Sequence, residues 1–451
     1  MSGGKVVILD GCGLSDQDLS PVLGELSEVF RRDGSRIETF RLSEMKLAHC
    51  LGCFGCWVKT PGMCVENDAG RQIAKAVVQS DTTVFFTPVT FGGYSPDLKK
   101  MLDRFVQLAS PYFQMDHGEV HHPPRYAHRP RLVMVGVQRR PNFNEAHIFK
   151  ILAGRNAINF HPPTYAAEVV VATDPTETLR LRFEALLARS DALPFGESAA
   201  SVMPAPVVLG VDAESNGPKQ ALLIVGSPKT DSPSTSNVLG SYLLERLRDR
   251  GWEIESLTLR ASLNREEGEA ALLASIHRAR LILLVFPLYV DSLPYLVTKA
   301  LTTIAADRRA AADPPPQRLA VIVNSGFPET HQNSVALAIC QEFAAQSGIA
   351  WAGGLALGGG GAIGGQPLTG TKRSGPPVKH VIRALDLTAA SLSDRRPVPA
   401  EAVTLMAKNP IPFIPFALWR WIYIRIGGMG FEREAIKNGV GRNRLREQPY
   451  S

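Results

Sequence analysis

The chain has 451 residues, 45% hydrophobic and 20% charged, with 49 Lys and Arg against 43 Asp and Glu for a formal net charge of +6. That length predicts more than one hydrophobic core, and the composition is that of a globular protein, not a disordered or fibrous one. The mild basic excess suits an anionic cofactor or partner, but no Lys/Arg run is long enough to point to nucleic acid, and no run of 18 apolar residues predicts a membrane span.

The opening MSGGKVVILDGCG turns directly into a strand-like run. It lacks the basic and long apolar regions of a secretory signal, so a cytoplasmic location is expected. Val6–Leu9 reads as a short buried strand, followed by a helix near 17–32 and an alternating strand at Ile37–Leu42. Next comes His49-CLGCFGCWVKTPGMC, which places four of the six cysteines, Cys50, Cys53, Cys56 and Cys64, in one short loop. The spacing C-x2-C-x2-C-x7-C supplies the four thiolates that a [4Fe–4S] cluster needs. It is poor for a lone zinc ion, which favours separated pairs, and a disulfide would need an oxidising compartment. A reduced, metal-free loop packed on a flavin or a neighbouring chain is the alternative.

A helix near 68–79, the strand Thr83–Phe86, a helix near 97–109, Leu132–Val135, a helix near 144–158, Val169–Val171 and a helix near 176–190 complete the first half. Residues 194–217 lack helical periodicity and read as a linker. The rhythm then restarts with strands at Ala221–Val225, Glu253–Leu257, Leu281–Val285, Leu319–Val323 and Ala350–Leu357. The intervening helices are near 235–250, 266–278, 294–306 and 332–347. Apolar strands alternating with helices predict parallel sheets covered on both faces, and five strands per half suit a flavodoxin-like sheet. The expected fold is therefore α/β, two flavodoxin-like doubly wound five-stranded parallel sheets in tandem plus a C-terminal helical tail. The expected boundaries are a first domain at 1–193, the linker at 194–217, a second domain at 218–395 and the tail at 396–451. Within the tail, Asn409–Gly428 is aromatic and apolar but interrupted by Arg420 and Arg425. Docking on its own domain or on another subunit is favoured there, over peripheral membrane contact through 410–428.

After the strand Ala221–Val225 comes GSPKTDSPSTSN, from Gly226 to Asn237. A sharp glycine turn, the hydroxyls of Ser227, Ser234, Thr235 and Ser236, the Lys229 ammonium and a helix N-terminus make an anion cradle at a strand's carboxyl end. An ordinary Ser/Thr helix cap needs fewer hydroxyls. Two more loops, Phe286–Pro294 and Asn324–Gln332, fall at the ends of the next strands. With them, and with the glycine-rich Gly353–Gly365, residues 218–395 resemble the NAD(P)H-dependent FMN reductases and quinone reductases of the flavodoxin-like superfamily. By that resemblance Ser227, Lys229, Ser234, Thr235 and Ser236 hold the FMN phosphate. Pro287, Leu288, Tyr289, Asn324, Ser325 and Gly326 flank the ring, with Tyr289 stacked on it. The first half, through the run Thr87–Arg104 and the cysteine loop with its downstream Asp68, resembles iron–sulfur flavoproteins, in which such a loop binds a [4Fe–4S] cluster beside FMN.

The first half departs from that pattern where its own phosphate loop belongs. Asp10, Asp16 and Asp18 crowd that place with carboxylates, and like charges disfavour a phosphate dianion by on the order of a kcal/mol each. A division of labour follows: cysteines on domain one, FMN on domain two, the halves pairing as an intramolecular pseudo-dimer or within a homo-oligomer. The implied activity is FMN-dependent NAD(P)H oxidation, with electrons passed to a quinone, flavin, nitro compound or protein acceptor. The alternative is a non-catalytic electron-transfer or partner-binding scaffold. Hydride transfer requires no side-chain acid or base, so no catalytic residue is assigned. The histidines around Gly118–Tyr126 read as pocket lining or a surface-loop cap, with metal disfavoured, and Cys12 and Cys340 as buried packing residues.

Overall fold

The computed structural model describes residues 3–194, 218–229, 233–263, 266–369, 378–409 and 414–451, so the expected linker lies almost wholly outside the described residues. The chain divides into two compact units, one of Met1–Ala199 with Trp421–Ser451, the other of Ala200–Arg420.

The first unit is built on β1 (Lys5–Asp10), β2 (Arg36–Arg41), β3 (Thr82–Pro88), β6 (Arg131–Gln138) and β7 (Tyr165–Val171), with β4 (Gln114–Asp116) and β5 (Glu119–His121) apart from them. The five long strands form one sheet in the order β2-β1-β3-β6-β7, parallel at every pairing. β4 and β5 form an antiparallel hairpin that the sequence pattern does not announce. Helices Ser20–Arg32, Ala69–Val78, Pro96–Leu102, Phe143–Phe160 and Thr176–Ala188 cover the sheet. The strands read as continuous apolar runs because both faces are covered. Val6, Ile8, Val84, Phe86, Val133 and Val135 interlock with Val22, Leu26 and Phe30 of the first helix and Phe183 of the last. Each such side chain contributes about 1.5–3 kcal/mol by leaving water.

The second unit repeats the plan with β8 (Gln220–Val225), β9 (Glu253–Thr258), β10 (Leu281–Pro287), β11 (Arg318–Asn324) and β12 (Ala350–Leu357) in the order β12-β11-β10-β8-β9. All its pairings are parallel. Leu223, Val225, Leu283, Val285 and Ile322 pack beneath Leu239, Leu243 and Leu247 of the helix Thr235–Arg248, and beneath Val381, Leu385 and Leu392 of the helix Lys379–Ser393. Both units thus have the flavodoxin-like order. In each, the first strand sends its neighbours off in opposite directions, which opens a crevice at the carboxyl ends of the strands. Among the described residues no helix is long and apolar enough to cross a membrane.

Candidate functional site

The loop after β1 is filled by the protein itself. Gly11 keeps it tight, since a Cβ there would meet Leu98 Cβ at 2.6 Å. The Cys12 N–H donates to Asp10 Oδ1 at 3.0 Å and the Gly13 N–H to Asp16 Oδ2 at 2.7 Å. Arg139 closes the set, Nη2 donating to Asp16 Oδ1 at 2.7 Å and Asp18 Oδ1 at 2.9 Å, and Nε to Asp18 Oδ2 at 3.0 Å. The Arg139 hydrogen bond holds the Asp18 carboxyl below its ordinary range, whereas burial pushes Asp10 up. Two of the three carboxylates therefore sit on the amides that a phosphate would use, and the third shares the only cation bonded to this loop among the described residues.

The cysteine loop leaves the same edge of the sheet, between β2 and the helix Ala69–Val78. Asp68 anchors both its ends. Its carboxylate caps that helix through Gly70 N–H, accepts from Ala48 N–H at 2.8 Å and takes Arg104 Nη1 at 2.6 Å. Arg104 in turn donates to the Ala48 and Glu66 carbonyls. Burial works to raise the Asp68 carboxyl, but Arg104 together with the Ala48 and Gly70 N–H groups outweighs it and holds the carboxyl below its ordinary range. Gly70 is required here, because a Cβ would lie 2.6 Å from the guanidinium. The four thiols are all unbridged, Cys53 exposed and Cys56 buried. Gly52 N–H points at Cys50 Sγ and Gly55 N–H at Cys53 Sγ, at 3.5 and 3.4 Å. Burial pushes the Cys50 thiol up to about 12. It raises Cys56 well above its ordinary value too, with Cys50, Cys64 and Cys53 adding to the effect. Four thiols in one loop, two of them receiving backbone N–H groups, fit a thiolate-bound cluster in kind. As folded they do not converge: among the described residues no three Cys, His, Asp or Glu side chains are grouped to hold a metal ion.

The C-terminal segment covers this loop. Trp57 stacks on Phe54 with centroids 5.0 Å apart, meets Phe431 edge-on at 4.8 Å, and donates from Nε1 to the Val106 and Ala109 carbonyls. Cys56, Trp57 and Val58 share one apolar cluster with Ala435, Val440 and Leu445. Gly427 and Gly428 let the helix Phe416–Lys437 press on Phe113 and Tyr112, whose rings would lie 2.5 and 2.8 Å from added Cβ atoms. Beyond the helix, Arg125 Nη1 donates to the carbonyls of Leu445 and Glu447, both at 2.9 Å. Gln107 Oε1 accepts from both Cys64 N–H and Tyr450 Oη. Pro449 sits on Gly62, leaving no room for a side chain there. The tail thus docks on the cysteine loop by one face.

The histidine run is not a surface cap. His121 is fully buried on β5, with Nε2 3.1 Å from Glu119 Oε2 and Nδ1 3.1 Å from Asn159 Oδ1, while Arg155 Nη1 reaches Glu119 at 2.6 Å. His122 lies against Trp57 and Phe113, and burial lowers it to about 4. Cys340 is buried, as expected, but Cys12 is only half-buried.

In the second unit the predicted residues lie in the loops at the carboxyl ends of β8, β10 and β11, and the hydroxyls of Ser234, Thr235 and Ser236 are engaged inside the fold. Gly226 is the counterpart of Gly11, its N–H donating to Val285 O and its Cα facing Val297 and Phe286. Ser227 is buried and Lys229 exposed. Ser234 Oγ accepts from Asn237 N–H as the helix cap. Thr235 Oγ1 donates to the carbonyls of Gly360 and Gly364 at 3.0 and 3.3 Å. Ser236, fully buried, accepts from Asn324 Nδ2 at 2.7 Å, and Asn324 also donates to Phe286 O. Ser325 O and Phe327 O accept from Gly360 and Gly359 N–H, so the glycine-rich stretch ties the loops after β8 and β11 together.

Leu288 N–H donates to Asn324 O, and Tyr289 pairs with Ser292 across a two-residue turn. That turn is strained: Val290 and Asp291 stand at φ +48° and +57°, a region costing about 1–2 kcal/mol for a residue with a Cβ. The equivalent first-unit turn, Thr90–Gly93, places Phe91 and Gly92 there at φ +54° and +84°. Strain retained at the mouth of a crevice marks loops shaped for something other than stability.

A model of the NADPH-dependent FMN reductase family matches residues 18–169, within the first unit and beginning at the end of its carboxylate-filled loop. An iron–sulfur flavoprotein of Methanocaldococcus jannaschii is 29% identical over 100 residues, covering 22% of this chain and 51% of its own length. Another, of Archaeoglobus fulgidus, is 26% identical over 87 residues, covering 19% and 39%. The chain spans about half, or less, of the length of these curated relatives. Among solved structures, the NAD(P)H:quinone oxidoreductase of Methanothermobacter marburgensis aligns at a TM-score of 0.33 and 13% identity, covering 41% of this chain and 96% of that one. The chain resembles the flavodoxin-like FMN reductases and iron–sulfur flavoproteins.

Proposed function

We propose that this protein is an FMN-dependent oxidoreductase that takes electrons from NAD(P)H and passes them to a quinone, flavin, nitro compound or protein acceptor. The observation that supports it most directly is the second unit's crevice, where Thr235, Asn324 and Gly360 tie the loops after β8, β11 and β12 together and the loop after β10, joined to Asn324 through Leu288 N–H, carries the strained Tyr289–Ser292 turn. There Ser227, Lys229, Ser234, Thr235 and Ser236 would hold the FMN phosphate. Pro287, Leu288, Tyr289, Asn324, Ser325 and Gly326 would border the ring. The sequence of this loop has one carboxylate, Asp231, and one ammonium, Lys229, whereas the first unit's loop is already filled by Asp10 and Asp16. When bound, FMN supplies hydride acceptance and one- or two-electron release. The chain's part is to seat it.

Cys50, Cys53, Cys56 and Cys64 would hold a [4Fe–4S] cluster, supported by the donor set and by the two archaeal relatives named as iron–sulfur flavoproteins. Such a cluster supplies one-electron relay. The test is anaerobic purification with flavin, iron and sulfide analysis. FMN should be present and should fall several-fold in the Ser234→Ala/Ser236→Ala double variant. Unchanged flavin in that variant would move the site away from this loop, and a flavin-free preparation would reject the oxidoreductase reading. Iron and sulfide near four per chain, lost on Cys53→Ser, are expected for the cluster; their absence rejects it alone.

A further inference from the structure

The helix Phe416–Lys437 has a second side. Its inner residues Gly427, Gly428, Phe431 and Ala435 are taken up by Phe113, Tyr112 and the Trp57 cluster. On the outer side, helical spacing aligns Trp421, Arg425, Met429 and Ile436, flanked by Ile426, Arg433 and Lys437. Trp421 is 57% exposed, Ile426 59%, Met429 46% and Ile436 52%. Scattered exposed apolar residues are ordinary, but four large ones along one helix face form a patch that marks an interaction site.

Charge identifies what the patch fits. Three cations share this face, Arg425 lying 5.6 Å from the Trp421 ring centre; of its carboxylates, Glu434 pairs with Lys437 at 3.3 Å and the half-buried Glu432 accepts from the Tyr112 hydroxyl at 3.1 Å. Arg442 and Arg444 follow in the tail with exposed side chains, paired to Glu432 and Glu447. A second copy of the same face would bring cations against cations, which disfavours self-pairing. A bilayer with anionic headgroups accepts both components. Apolar side chains enter the acyl boundary, an interfacial Trp sits at headgroup depth, and the Arg and Lys groups stay at the phosphates. No described helix can cross a membrane, so such a helix lies in the interface.

We propose that the outer face of Trp421–Lys437 docks on an anionic lipid surface. The test uses the full chain and vesicles of phosphatidylcholine, with and without about a third phosphatidylglycerol. The chain should co-sediment with the anionic vesicles, at least about tenfold better than with the neutral ones, and release as salt shortens the screening length. Arg425→Glu/Arg433→Glu should lose about tenfold or more in binding to anionic vesicles. Ile426→Ser/Met429→Ser, on the same exposed face, should lose binding while keeping the wild-type circular dichroism. Equal binding to both vesicles, no binding to either, or charge-reversed chain that binds as before overturns the proposal. Dimers in sedimentation velocity that Ile426→Ser/Met429→Ser dissociates, with no vesicle binding, would assign the face to self-association instead.

Discussion

After β1 the chain meets its loop amides with carboxylates, and after β8 it offers hydroxyls. Both loops start from a glycine whose N–H bonds the neighbouring strand and whose Cα abuts the helix that follows that strand, so the two loops begin alike and their side chains differ. Asp10, Asp16 and Arg139 give the first unit a loop complete without a ligand. In its place that unit carries the cysteine loop between β2 and the helix Ala69–Val78, where the second unit has only seven residues between β9 and the helix Glu266–Arg278, the first four of them helical (Leu259–Ser262). A repeated fold leaves its crevice in both copies, while site chemistry stays free to move to a different loop of each.

The contrast breaks most visibly at the tail. Deleting Val440–Ser451 removes Val440 and Leu445 from the Cys56 cluster and Tyr450 from Gln107. Alkylation of Cys56 in the reduced protein should then accelerate by at least about tenfold, since buried thiols react only through opening. Cys340, inside the other unit, should keep its rate. Mass spectrometry of the labelled peptides reads both, and equal rates at Cys56 with and without the tail would remove its covering role.

The turn after β3 is the next place to press. Gly92, at φ +84°, would set a Cβ 2.6 Å from Ile148 Cβ. Gly92→Ala should therefore cost about 2–4 kcal/mol, from the backbone conformation and from overpacking together. Urea unfolding followed by fluorescence checks it.

Much of this fold is written in the sequence. Runs such as Val6–Leu9 and Leu281–Val285 can only be strands buried on both faces, and their alternation with helices dictates a parallel sheet. The hairpin β4–β5 is not legible, because Gln114–Asp116 and Glu119–His121 are three residues each with one apolar residue, too short for a pattern to show. Their backbones pair antiparallel, and Glu119 holds the buried His121 and Arg155 on the β5 side. The cysteines and the three aspartates announce themselves by spacing. Arg139, which neutralises two of those aspartates, is more than a hundred positions away, and nothing local marks it. Hydroxyls in a loop show that a loop is polar, but not which way each points. Thr235 and Ser236 turn to Gly360 and Asn324, contacts that only the folded chain brings together.

The smallest effect sharpens the comparison most. In the second unit the turn after β10 has no glycine: a β-branched Val290 and a buried Asp291 take the left-handed positions that Phe91 and Gly92 occupy in the first. Val290→Gly relieves about 1–2 kcal/mol of backbone strain but returns about 0.5–1 kcal/mol through the greater freedom of the unfolded chain. The net should be a gain of up to about 1 kcal/mol in stability. A turn kept below its stability optimum is expected where loop shape serves binding, so the same substitution should lower bound flavin. Higher stability with flavin retained would mean that the strain serves packing alone, and the two turns would then differ in sequence but not in purpose.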